Sequence, residues 1–154
     1  MLCACRRHLT GEALKDAFVF TYDRMRRYGG AWHLERQLLF PHYLFLESEE
    51  EERLTAELKR YSQVFPVFAK DGKLVQVEPE EERLLRVLCG AGHHSRMSRG
   101  YIRDGRTVVT EGPLQGKENL IRRIDRHKRI AQVGMPSSGS LQKMQVGLEI
   151  VAKS

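Results

Sequence analysis

The sequence has little cysteine and no long apolar run, and each shortage excludes a class of protein. Three cysteines among 154 residues are too few, and odd in number, for a disulfide framework, which favours a reducing compartment such as the cytoplasm. Uninterrupted apolar runs, such as 17–20, are only a few residues long, whereas a membrane span needs about 20 residues. No apolar core of a signal peptide follows the first residues. The sequence therefore predicts a cytoplasmic protein without a membrane partner.

Patterns that carry catalysis or bind metals are also scarce. Residues 112–117 resemble a phosphate-binding P-loop only superficially, because the spacing between the glycines is one residue short and Glu follows where Ser or Thr is needed. Cys3 and Cys5 are separated by one residue and have no second pair, which argues against zinc. Asp125 and His127 lack the further carboxylates of a nuclease site. We predict no enzyme activity, no catalytic residues, no metal and no cofactor.

Positive charge is concentrated in the second part of the chain. The net charge is +6, from 26 Lys and Arg against 20 Asp and Glu. Residues 1–102 hold 16 basic and 15 acidic residues, whereas residues 103–154 hold 10 and 5. A small basic unit that follows a nearly neutral one predicts two domains, of which the second binds a polyanion.

Two helices have clear start signals. Ser48 and Glu51 fit a capping box, and leucines follow at helical spacing. Pro79 occupies a favoured first-turn position, is followed by three glutamates, and Gly90 ends the pattern. A shorter helix is predicted over 2–9.

Strand signals fill the rest of the chain. In the first part they predict strands at 17–21, 32–38, 40–46, 64–68 and 74–77. In the last part, short strands alternate with turn residues, which is typical of a small β-barrel, at 107–110, 120–124, 130–133 and 141–146. The predicted fold class is α+β, with domains at 1–92 and 104–154 joined by a polar linker at 93–103.

Two motifs resemble the NusG family of transcription elongation factors. Phe40-Pro41-His42-Tyr43-Leu44-Phe45 is similar to the family's Phe-Pro-Gly-Tyr segment, and 111–118 continuing to 124–129 looks like a KOW motif. Segments 22–28, 32–33, 98–102 and 147–151 resemble the LoaP type, specialised paralogues that act as processive antiterminators. The resemblance covers nearly the whole chain. It implies an NGN-type antiparallel sheet with helices, followed by an SH3-like KOW β-barrel.

The chain departs from the family pattern in three places. His42 and Asn119 stand where the family usually has glycine. Nothing matches the family's opening strand, and residues 2–9 resemble the end of its first helix. We therefore expect the N-terminal sheet to lack one strand, which would leave an open edge.

An aromatic group is the first candidate site. Large apolar residues are usually core, and the pattern alone favours that reading. In the NusG family, aromatic residues of this motif build a concave surface that binds the clamp helices of RNA polymerase, and such anchors supply much of the energy in helix-binding grooves. The resemblance thus implies a polymerase-binding set of Phe40, Pro41, Tyr43 and Phe45.

A second candidate lies between Tyr22 and Tyr28. Arg24, Arg26 and Arg27 lie between these two tyrosines, and such a combination of basic and aromatic residues suits a single nucleic-acid strand. The alternative is a solvated hairpin. The resemblance places this segment beside the exposed non-template DNA strand.

The densest basic region is the third candidate. Six cations and one histidine lie within 13 residues, a density that favours RNA over a merely solvated barrel surface. In LoaP-type proteins the KOW domain is implicated in binding a leader-RNA hairpin. The predicted RNA-binding residues are Lys117, Arg122, Arg123, Arg126, His127, Lys128 and Arg129.

These sites together predict a factor that acts by binding RNA polymerase and leader RNA, suppressing pausing and termination. Two alternatives stay open. In a general NusG-type factor the KOW domain binds proteins instead, and a KOW-containing ribosomal protein binds ribosomal RNA without touching the polymerase.

Overall fold

The computed structural model describes residues 9, 11–41, 43–60, 76–135 and 143–154. They belong to two compact units, the first taken from 1–19 and 42–76 and the second from 20–41 and 77–154. The helices and strands of the described residues are, in chain order, β1 (Asp16–Phe18), β2 (Thr21–Tyr28), β3 (Ala31–Leu38), β4 (Phe45–Glu47), α1 (Glu51–Arg60), α2 (Pro79–Cys89), β5 (His94–Ser95), β6 (Ser98–Arg103), β7 (Arg106–Glu111), a 3₁₀ turn (Glu118–Leu120), β8 (Ile121–Asp125), β9 (Ile130–Gly134) and β10 (Lys143–Lys153).

The first unit packs α1 over a two-stranded antiparallel sheet of β1 and β4. Leucines of α1 and residues around β1 form its core, which comprises Leu9, Leu14, Ala17, Leu54 and Leu58. The helix begins soon after Ser48, as predicted, and the Ser48 hydroxyl accepts a hydrogen bond from the Glu50 backbone N–H at 3.1 Å. The Glu51 carboxylate instead accepts a hydrogen bond from Gln76 at 2.7 Å.

In the second unit, α2 begins at Pro79 and ends at Cys89, as its sequence signals predict. The Glu78 backbone N–H donates to the Glu81 carboxylate at 3.1 Å, which satisfies a donor at the helix start. Cys89 lies in the core, and burial raises the pKa of its thiol to about 12. The thiol therefore stays protonated at physiological pH.

A three-stranded sheet of the second unit has the order β3-β2-β5. The β2–β3 pair is an antiparallel hairpin, and β5 runs parallel to β2. A hydrogen-bonded relay fixes this parallel pair: the His94 ring bonds the Thr21 hydroxyl through Nδ1 at 2.8 Å and the Asp23 carboxylate through Nε2 at 2.7 Å. Since a carboxylate only accepts, Nε2 carries a proton.

A five-stranded sheet completes the second unit, in the order β7-β6-β10-β9-β8. β10 lies in the middle, parallel to β6 and antiparallel to β9. Among the described residues this sheet does not close on itself. The described chain is therefore α+β, as predicted.

Several predicted boundaries are wrong. Residues 93–103 are not a linker, because β5 and β6 both lie there and are paired in sheets. The predicted strand at 17–21 is divided between β1 and β2, which join different sheets, and the strand predicted at 40–46 is replaced by the shorter β4.

The predicted domain division at residue 92 also changes, because β2, β3 and α2 belong to the same unit as β6–β10. The predicted helix over 2–9, except Leu9, the predicted strand 64–68 and residues 74–75 of the predicted strand 74–77 lie outside the described residues, and residues 76–77 are not in a strand. Within the described ranges, no helix has the length and apolar character to cross a membrane.

We expect Gly112→Ala to destabilise the protein more than Gly116→Ala. Both glycines have positive φ, at 97° and 78°, so each alanine should cost about 1–2 kcal/mol through backbone strain. At Gly112 the new Cβ would also lie 2.5 Å from the Ser98 Cα, whereas at Gly116 it meets nothing within 4 Å. This overlap should add roughly 1–3 kcal/mol. Urea unfolding measures both losses, and equal losses would contradict the close approach of Gly112 to β6.

Candidate nucleic-acid interface

The turn between β8 and β9 presents three basic side chains to solvent. The Lys128 backbone N–H donates to the Asp125 carboxylate at 2.9 Å, which closes the turn and lowers the pKa of that carboxyl. Arg129 ends the turn at φ 55°, and its carbonyl accepts a hydrogen bond from the Leu148 backbone N–H at 3.0 Å. Arg126, His127 and Lys128 between these two anchors are exposed. We call residues 125–129 the basic corner.

Arg129 is a fixed part of this corner. Its guanidinium lies 4.0 Å from the centroid of the Trp32 ring, on β3, and 3.5 Å from the Glu149 carboxylate, on β10. Its side chain is only 25 % exposed. Planar guanidinium groups suit this double role, because they stack on aromatic faces and bond carboxylates. Arg129 therefore ties the basic corner to two other strands.

A groove of about 880 Å³ lies between the β2–β3 hairpin and the basic corner. We call it the Trp32 groove; its lining combines cations with apolar side chains and one carboxylate. The lining residues are Arg27, Trp32, Arg123, Ile124, Asp125, Arg126, His127, Arg129 and Ile150.

Only some of the predicted RNA-binding residues line this groove. Arg123, Arg126, His127 and Arg129 line the Trp32 groove, and the other three do not. Arg122 precedes Arg123 on β8 and lies across Gly134, where a Cβ would come 2.6 Å from the Arg122 Nε. The β8–β9 register shifts between Ile121 and Arg123, so Arg122 has no partner in the ladder whereas Arg123 pairs with Gln132, and this irregularity accompanies the separation of the two arginines. Lys117 lies just before the 3₁₀ turn, and Lys128 is exposed at the basic corner.

The three arginines predicted to contact DNA do not share one surface. Arg27 lines the Trp32 groove. Arg26 is ion-paired with Glu35 at 3.4 Å. The Nε atom of Arg24 is buried without a hydrogen-bond partner among the described residues. The alternation of a β-strand explains why neighbouring residues have different surroundings.

The predicted polymerase-binding set is partly core. Phe40 is 6 % exposed and packs edge-on against Phe20, which corrects the expectation of an accessible Phe40 ring. Phe45 is 8 % exposed and stacks on Phe18. Pro41 is exposed and Tyr43 is 42 % exposed. Phe40 and Pro41 belong to the second unit, and Tyr43 and Phe45 to the first.

Sequence reasoning missed Trp32 as a site residue, although a signal was present. The hairpin turn Gly29-Gly30 has positive φ at both residues, which is typical of a two-residue hairpin turn. That turn length fixes the register and places Trp32 directly opposite Arg27. The approach of the basic corner to this pair had no comparable signal, since it depends on contacts between distant strands.

Comparison of the chain with models of known protein families gives no match, and comparison with curated proteins gives none either.

We expect Asp125→Ala to loosen the basic corner and lower stability at neutral pH. The pKa of Asp125 is lowered in the folded chain. The ionised carboxylate therefore stabilises the folded state at pH values above the ordinary carboxyl pKa, and this contribution is lost as the pH falls through the lowered pKa. The difference between wild type and variant should therefore shrink on acidification. Urea unfolding midpoints across a pH series measure it. A difference that stays constant into strong acid would contradict a role for the carboxylate charge.

Proposed function

We propose that the protein is a NusG-family transcription factor of the LoaP type. In this proposal it binds RNA polymerase and structured leader RNA, and it suppresses pausing and termination. The observation that carries the proposal is the Trp32 groove, where four arginines, a histidine and the chain's single tryptophan come together. The NusG-like and KOW-like motifs support it, and we assign the sheet of β6–β10 to the KOW barrel on that basis.

The chemistry of the groove and the basic corner suits RNA. Guanidinium groups bind phosphates in a forked geometry that lysine does not reproduce. Aromatic rings stack on bases, and this contact contributes about 1–3 kcal/mol per base in proteins that bind single strands. Among the described residues that line the groove, Asp125 alone carries a carboxylate, and it is hydrogen-bonded to the backbone of its own turn. The surface therefore attracts a polyanion that also carries flat rings.

The polymerase contact is assigned to Tyr43, the exposed aromatic residue of the predicted set. Tyr43 is 42 % exposed, and tyrosine is a common anchor in protein interfaces. The proposed partner is the pair of clamp helices of RNA polymerase. Among the arginines predicted to contact DNA, we assign Arg26, which lies outside the groove, to the non-template strand.

The proposed mechanism is differential binding. A factor that binds the elongating polymerase more tightly than the paused or terminating form shifts the population toward elongation by that difference in affinity. A second, tethered contact with leader RNA raises the effective concentration of the factor at the polymerases that transcribe that leader. Specificity then comes from the RNA and processivity from the polymerase contact.

Transcription through an intrinsic terminator tests this proposal. Templates with and without a leader hairpin are compared in the presence of the full chain, and we expect readthrough to rise only when the hairpin is encoded. The double variant Arg126→Gln, Lys128→Gln should lose the hairpin-dependent rise. Its slope of log Kd for hairpin RNA against log salt should flatten by about 1.5, since each lost phosphate contact removes about 0.7–0.9.

The matched control is Arg106→Gln, Lys153→Gln. These exposed cations lie on β7 and β10 outside the groove, and their loss changes the net charge equally. The control variant should retain hairpin-dependent readthrough and the wild-type slope of log Kd for hairpin RNA against log salt. Readthrough that ignores the leader hairpin would support a general NusG-type factor, and no effect on termination would contradict the proposal.

Tyr43→Ala should weaken capture of nucleic-acid-free RNA polymerase about ten-fold or more, as loss of an aromatic anchor does, and leave hairpin RNA binding unchanged. Tyr28→Ala removes a tyrosine of similar exposure, 52 % against 42 %, on the β2–β3 hairpin and should leave capture intact. Equal effects of the two substitutions on capture would contradict the assignment of Tyr43.

A further inference from the structure

We infer that the Trp32 groove holds one unpaired nucleotide of the bound RNA, and that Arg27 contacts the same RNA strand as Arg123 and Arg126. This inference rests on the proposed function and makes it more specific. It moves Arg27 from the predicted DNA contact to the RNA site. The β2–β3 hairpin and the basic corner then form one composite site.

The hairpin register places Arg27 in the groove. Gly29 and Gly30 form a two-residue turn, so Arg27 pairs across the hairpin with Trp32 and Arg26 pairs with His33. Consecutive residues of a strand point to opposite faces. Arg27 consequently lines the groove with Trp32, whereas Arg26 is paired with Glu35 outside it.

The lining matches a nucleotide better than a helix of paired RNA. Trp32, Ile124 and Ile150 supply apolar surface, while the arginines supply positive charge in the same groove. A base with its phosphate has this combination of a flat, weakly polar ring and an anionic edge. The groove's volume, about 880 Å³, falls in the range of roughly 300–1,000 Å³ that is typical of small-ligand sites.

RNA geometry gives a second reason for an unpaired nucleotide. Side chains cannot reach bases in the deep, narrow major groove of an A-form duplex, whereas bases in loops and bulges are free to stack on aromatic rings or guanidinium planes. Trp32 and Arg129 form such a stacked pair, 4.0 Å apart, and both line the groove. Arg129 is a positioning residue here, because Glu149 and Trp32 hold its guanidinium.

Trp32 is the only tryptophan in the chain, so fluorescence excited selectively from tryptophan, rather than from the five tyrosines, reports on this groove. The full chain is titrated with a hairpin that carries a loop and a bulge, a blunt duplex of the same composition, AMP, and poly-glutamate. We expect the hairpin to quench Trp32 fluorescence and to bind at least ten-fold more tightly than the duplex. AMP should quench only at far higher concentration, and poly-glutamate should not quench.

A matched pair of variants tests the part played by Arg27. Labelled hairpin RNA, followed by anisotropy, gives a Kd that is independent of Trp32. Arg27→Gln should raise this Kd about ten-fold, and Arg26→Gln should leave it within about two-fold, although both remove one charge from adjacent positions of β2. For the duplex, Arg27→Gln should have no larger effect than Arg26→Gln.

The outcomes separate this inference from the proposed function. If the wild-type chain binds no hairpin RNA, the RNA part of the proposed function fails. If it binds hairpin RNA without quenching Trp32, or if the two arginine variants behave alike, the inference is overturned and the proposed function stands. Equal quenching by poly-glutamate or by the duplex would also overturn it, because the groove would then accept any polyanion.

Discussion

The candidate interface depends on the contact of Arg129 with Trp32 and Glu149. One guanidinium joins the end of the β8–β9 turn to the β3 ring at 4.0 Å and to the β10 carboxylate at 3.5 Å. The left-handed backbone of Arg129 costs about 1 kcal/mol, which a partly desolvated cation–π contact and an ion pair offset. This contact joins the basic corner directly to the β2–β3 hairpin beside the groove that Arg27 and Arg126 line, and the hydrogen bond from Gln145 to the Tyr22 hydroxyl, 2.8 Å long, also joins β10 to β2.

Features with local causes could be predicted from the sequence, and features with distant causes could not. The start of α2 at Pro79 and its end before Gly90 follow from capping and dipole preferences within a few residues. The parallel pairing of β2 with His94-Ser95 spans more than 70 residues, and a polar segment gave no sign of it. For Phe40, the apolar pattern favours the core, where its ring packs on Phe20, and only the family resemblance implies a surface position.

Counting charged residues in the sequence also identifies only part of the candidate site. The basic excess after residue 102 draws attention to the β8–β9 region, but it does not separate cations that are already paired from those that line a cavity. Arg26 and Arg99 are paired with Glu35 and Glu149, at 3.4 and 3.2 Å. Arg123 and Arg126 line the groove with Arg27, which a separate part of the chain contributes. Only the fold distinguishes these roles, because residue type and exposure to solvent are similar.

The position of β10 makes assembly of the larger sheet depend on a segment that is synthesised after its neighbours. β10 follows the other described strands in sequence, yet it lies between β6 and β9. Until it emerges from the ribosome, β6–β7 and β8–β9 are two separate hairpins, and isolated two-stranded hairpins are at best marginally stable in water. Glu149, which holds Arg129, is also on this strand. A nascent chain stalled before residue 143 thus carries most of the basic residues without the strand that organises them, so the interface forms only after β10 has been synthesised.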